Sequence, residues 1–178
     1  DASHSGSIHN TAIGKDALTA LNADAADYNT AVGSLAGDSI TSGASNTAVG
    51  AYCLNGTDDG LANVAVGVNA LGANCADNNT GLGYNALNGF TGSDATAVGS
   101  GAADAVVTGG NLTAIGKGAL GVATSGNDNT AVGALCLDGT IDGTNNTAIG
   151  VAALSSDCQN DNVAAGHYAL RLFTGSNA

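Results

Sequence analysis

The chain is 178 residues long and contains 28 Gly, no Pro, Met or Trp, and only 3% aromatic residues. Its fifteen acidic residues are all Asp and stand against Lys15, Lys117 and Arg171, a net charge of −12. That balance excludes nucleic acid and anionic lipid as partners, because phosphate binding needs clustered cations; no apolar run approaches the roughly 20 residues of a membrane span, so membrane insertion is not expected.

The first predicted element is "NTAIG" at 10–14, and the same phrase then returns down the whole chain. Its glycine recurs as Gly14, Gly33, Gly50, Gly67, Gly83, Gly99, Gly116, Gly133, Gly150 and Gly166, in steps of 16 to 19 residues. Two before each glycine stands Ala, with Gly81 the one exception; one before it stands Val, Ile or Leu, with Ala165 the exception. A 17-residue unit is too short for a helical hairpin repeat. β-branched Thr and Val in short alternation predict a strand on "TAVG" and a second short strand around "AL". The clusters "TSGAS", "NGTDDG", "TSGND" and "DGTIDG" predict turns between the phrases. The chain therefore reads as all-β, a parallel β-solenoid of about ten coils filling residues 1–178 as one domain. Strict register and 44% hydrophobic content argue against a disordered tract.

Stacked coils bring identical positions into ladders about 4.8 Å apart. Asn10, Asn29, Asn46, Asn63, Asn79, Asn129, Asn146 and Asn162 all stand four before the glycine and predict an Asn ladder bonded side chain to side chain. Within the strand, Ala and Gly share one face and Thr and Val the other. Placing Ala and Gly inside a flattened roll of two close sheets puts Val32, Val49, Val66, Val98, Ile115, Val132 and Ile149 outside, as an apolar stripe suited to an oligomer interface. The opposite assignment, with Val inward, gives a self-sufficient monomer.

A shift of 83 residues lays Cys53 on Cys136, Cys75 on Cys158 and Phe90 on Phe173, so the solenoid is a tandem duplication of five-coil blocks, approximately 10–95 and 96–178. Ala178 is the equivalent of Ala95, one residue before a "TAVG", and no polar cap is visible at either end. The expectation is a processed or excised segment of a longer array, or a subunit that assembles end to end through its strand edges.

Cys53 and Cys75 lie 22 residues apart on adjacent coils, as do Cys136 and Cys158, which predicts disulfides Cys53–Cys75 and Cys136–Cys158 and an oxidising, extracellular setting. The other reading makes each Cys a small buried substitute for Ala. Asp58, Asp59, Asp138 and Asp142 in two Asp-rich turns are the candidate calcium ligands, although Asx turns account for them as well. His4, His9 and His167 are scattered, and no zinc, P-loop, dinucleotide or hydrolase motif occurs, so no cofactor and no catalysis are expected.

The "NTAVG" and "NTAIG" phrases resemble the head repeats of trimeric autotransporter adhesins (the YadA-like head). The longer "NTAVG..AL" form is similar to repeats in phage-type tail-fibre proteins. The resemblance implies a parallel β-roll that trimerises through an aliphatic face and attaches to cells or surfaces. The functional expectation is an extracellular structural and adhesive fibre segment, non-enzymatic and homotrimeric, presenting variable turns to a receptor or glycan. Two alternatives remain: a self-assembling head-to-tail filament subunit, and an ice-binding solenoid using the rank Thr11, Thr30, Thr47, Thr80, Thr96, Thr113, Thr130 and Thr147.

Overall fold

The computed structural model describes residues 9–21, 26–106, 108–122, 125–140 and 142–178. Each "TAVG" phrase is one three-residue strand: β1 (Thr11–Ile13), β2 (Thr30–Val32), β3 (Thr47–Val49), β4 (Val64–Val66), β5 (Thr80–Leu82), β6 (Thr96–Val98), β7 (Thr113–Ile115), β8 (Thr130–Val132), β9 (Thr147–Ile149) and β10 (Val163–Ala165). All ten join in one parallel sheet in chain order. The register is the repeat itself, with Thr on Thr, Ala on Ala and Val on Val, as in Thr30↔Thr47, Ala31↔Ala48 and Val32↔Val49. The fold is a parallel β-solenoid.

The "AL" segment is not a second strand, which corrects the sequence expectation of a two-sheet roll. It is a turn in which the residues two and four after the anchor glycine take positive φ, for example Tyr52 (59°) and Leu54 (50°). Left-handed backbone costs an L-residue about 1–2 kcal/mol, and two features of this turn offset it. The leucine side chain enters the core: Leu18, Leu54, Leu71, Leu87, Leu120, Leu137 and Leu154 are all buried, each burial contributing about 1.5–3 kcal/mol. Its N–H also reaches the next coil, as in Leu54 to the Ala70 carbonyl at 3.0 Å. The turn thus pairs coil to coil without being a strand.

The anchor glycine does not line the interior, contrary to expectation. It leaves the strand at φ between 129° and 146° and stacks on the glycine of the next coil so closely that a Cβ on Gly83 would lie 2.5 Å from the Gly99 carbonyl oxygen. Only glycine fits both demands. The interior is a narrow stack of the strand alanines (Ala31, Ala48, Ala65, Ala97, Ala114, Ala131, Ala148) against the leucine rank. Beyond the leucines a further inward rank is filled by Leu21, Ile40, Phe90 and Val106.

The Asn residues do form a ladder, but of side chain to backbone. Asn46 Oδ1 accepts from the Asn63 N–H at 2.9 Å, while its Nδ2 donates to the Gly60 carbonyl at 2.8 Å. Asn29, Asn63, Asn79, Asn146 and Asn162 repeat this two-point contact with the following coil's turn. Asn162 adds a side-chain donation to another Asn, Asn146. The amide satisfies one buried donor and one buried acceptor where the chain turns into the strand. Ala95 and Leu112 interrupt the ladder at the junction of the two blocks.

One place before the Asn rank runs an outer file at Asn78, Asp94, Asn111, Asp128, Asn145, Asp161 and Asn177, alternating amide and carboxylate. Asn78 donates to Asp94, Asn111 to Asp128 and Asn145 to Asp161, at 3.0–3.2 Å.

Candidate binding surfaces

Strand parity decides which file meets solvent. With Ala inward, Thr and the aliphatic residue of each strand point outward together. Ile115 and Ile149 are 40% and 49% exposed, and Val49 37%; Val32, Val66, Val98 and Val132 are half-buried. Ile13 and Leu82 belong to the same file and are also exposed, although the sequence reading did not name them. The Thr file lies beside it on the same face, so the sheet presents two parallel files over ten coils. No charged residue occupies any outward strand position.

The predicted disulfides are not present. Cys53, Cys75, Cys136 and Cys158 are all free thiols and buried. The two members of each pair stand at different places around the coil, even though the coils are adjacent. Cys53 takes the alanine position after the anchor glycine, where its Sγ donates to the Gly50 carbonyl. Cys75 is buried with its Sγ 3.1 Å from Thr57 Oγ1; Cys158 does the same against Thr140. Thr57 and Thr140 hold the rank that Ile40 and Phe90 fill in other coils, and Cys75 and Cys158 pack against them, so all four cysteines are small core residues. Burial pushes the Cys53 thiol up to about 11 and raises the other three as well.

The calcium candidates are not assembled into a site. Asp58 accepts from the Thr41 hydroxyl, and its backbone carbonyl takes the N–H groups of Thr41, Ser42 and Gly43. Asp142 accepts from Ser125 at 2.8 Å. Asp59 is exposed, and Asp138 lies several coils from Asp58, in the same rank as Asp104 two coils away. Among the described residues no three His, Cys, Asp or Glu side chains converge. The Asx and hydroxyl-turn reading accounts for Asp58 and Asp142. His9 stacks on Tyr28 with ring centroids 4.9 Å apart, and His167 lies against Tyr168, itself under Arg171; His4 lies outside the described residues. No described helix is long and apolar enough to cross a membrane.

A notch interrupts the turn ranks over coils five to eight and escaped the sequence reading. Gly101 and Gly118 sit where neighbouring coils carry Asn85 and Leu135, and Gly121 sits between Asp104 and Asp138. The sequence signal for it was two successive glycines at a rank that the other coils fill with side chains, beside Gly121 in a rank where Gly72 is the other glycine.

These features define the class: a parallel β-solenoid repeat protein, coil-paired throughout, with one uncharged strand face and variable turns. No family model, no curated protein and no solved structure matches this chain.

Proposed function

We propose that the chain is a non-catalytic structural and adhesive segment of an extracellular fibre, homotrimeric through its outward strand face, with the turns as its attachment surface. The observation that carries this reading is the make-up of that face. Fifteen Asp are distributed along the chain, yet none falls on the outward strand positions, where Thr and aliphatic residues run unbroken. In-register carboxylates would repel one another on any strand face, so the weight falls on what stands in their place: an aliphatic file running the length of the sheet, which suits a face that packs against copies of itself. The setting outside the cell is supported by the resemblance of the repeat to surface-fibre repeats, and the free thiols carry none of that argument.

Sedimentation equilibrium tests the assembly. The 16.8 kDa chain is expected to sediment as a trimer, and Ile115→Asp with Ile149→Asp is expected to release folded monomers. A wild-type monomer would overturn the trimer. Such a monomer that also arrested ice growth would select the ice-binding reading, which the side-by-side Thr and aliphatic files favour.

A further inference from the structure

We propose that the notch between Asp104 and Asp138 is a saccharide-binding site, taking one or two sugar units of a neutral glycan. It occupies about 320 Å³, at the lower end of the range for small-ligand pockets.

The notch exists because three side chains are absent. At the rank two after the anchor glycine the chain carries Asp16, Leu35, Tyr52, Asn69, Asn85, Leu135, Ala152 and Tyr168 in eight coils, and glycine only at Gly101 and Gly118. These two consecutive glycines keep the same left-handed φ, 66° and 62°, so the backbone course is unchanged and only the side-chain volume is removed. Gly121 removes a further side chain between Asp104 and Asp138, in a rank where Gly72 is the other glycine. The two carboxylates lean into the vacated space. Asp138 Oδ1 lies 2.8 Å from where a Cβ on Gly121 would stand, and Asp104 Oδ2 3.6 Å from that of Gly101. Among the described residues no hydrogen-bond donor reaches the Asp138 carboxylate. Burial raises its proton affinity, with a smaller contribution from the charge of Asp104, and both residues line the notch. Tyr84, which is 58% exposed, and Lys117 also line the notch.

The ligand class follows from this donor set. Two carboxylates facing one space repel phosphate and other anions. They stand two coils apart, about 10 Å along the stack at the backbone, too far to close on one hard cation, which needs six to eight oxygens within about 2.6 Å. An extended neutral ligand with several hydroxyls suits them. Its hydroxyls donate to the two carboxylates in charge-assisted bonds, Lys117 donates to a ring or hydroxyl oxygen, and the Tyr84 ring offers an apolar face to the C–H side of a sugar. The site deepens the attachment role proposed above but lies on the turn ranks, away from the strand face, so the two readings fail separately.

The test is NMR titration of the intact ¹⁵N-labelled chain with the methyl glycosides of glucose, galactose, mannose and N-acetylglucosamine, and separately with calcium chloride. At least one glycoside is expected to shift amides within 84–85, 100–104, 117–121 and 135–138 and to saturate. Gly118→Asn fills the notch with a residue that the same rank already accepts at Asn69 and Asn85 with φ 58° and 55°. It is expected to weaken binding at least tenfold with an unchanged circular dichroism spectrum, and Asp104→Asn with Asp138→Asn to do likewise. No response to any of the four glycosides, a response unaltered by both variants, or a response to calcium alone would overturn the site. Sedimentation of the same samples reads the trimer independently.

Discussion

Asn46→Ala removes one rung of the ladder. Asn46 is 1% exposed, and its amide holds the Asn63 N–H at 2.9 Å and the Gly60 carbonyl at 2.8 Å. Alanine leaves both backbone groups behind in the turn with nothing to replace the amide. A buried donor or acceptor without a partner costs about 1–3 kcal/mol, so the pair predicts a loss of about 2–6 kcal/mol. For a chain of this length each kcal/mol lowers the melting temperature by about 2–4 °C, which places the fall at roughly 10 °C. The matched control is Asn111→Ala. Asn111 is exposed, makes one side-chain bond, to Asp128, and holds φ 53°, so its loss is expected to cost about 1 kcal/mol, most of it from placing alanine in left-handed backbone. Thermal melts followed by circular dichroism, with chemical denaturation as a second measure, compare the two. Equal, small effects would refute the argument that the ladder acts by satisfying turn backbone, and would return the Asn rank to a surface preference.

Gly83→Ala brings a Cβ to 2.5 Å from the Gly99 carbonyl oxygen at φ 140°, whereas Gly166→Ala at φ 129° meets nothing nearer than 3.8 Å; the first is expected to destabilise by about 3–5 kcal/mol and the second by about 1–3, a gap that denaturant melts resolve. The four thiols are expected to resist iodoacetamide at pH 8 in the native chain and all to label in denaturant without reductant, as counted by intact mass; labelling of none would restore the disulfides. Because the Cys53 thiol is raised from 9.0 to about 11 by burial, the folded chain holds its proton longer than the unfolded one. Its contribution is complete below pH 9.0 and is lost as pH rises toward 11, by about 3 kcal/mol; because burial raises the other three thiols too, melts of the chain against Cys53→Ala across that interval isolate its share.

The sequence disclosed the period and the coil count, because each is a spacing and spacing survives translation into register; which strand face turns inward it left open between two assignments. Leu54 shows where legibility stops. A leucine after two small residues looks like strand, and nothing in its type announces φ of 50°; the strain is offset by burial against coils that only the assembled stack supplies. The Asn rank was visible, but its partners were not, since Gly43, Gly60 and Gln159 share only a place, not a side chain. The cysteines misled because a 22-residue interval fixes which coil a residue is on and leaves its position around the coil unread. The notch was missed for a related reason: it is a hole among Gly101, Gly118 and Gly121, and glycine in a glycine-rich chain draws no notice.

A stack of near-identical coils raises the question of how it keeps count. If one coil loops out during folding, its neighbours can meet in good register, since Thr still finds Thr and the glycines still stack. The outer file of alternating Asn and Asp changes that outcome. Looping out the coil of Asn111 sets Asp94 against Asp128, two carboxylates where an amide and a carboxylate should meet; looping out that of Asp128 sets Asn111 against Asn145 and forfeits the charge-assisted bond. Omission of two coils restores the alternation. The file therefore works as a parity check along seven successive rungs: it detects every odd slip and is blind to even ones. Even slips in that half of the chain are left to the features that occur once per block, Phe173 and the Cys136 and Cys158 coils.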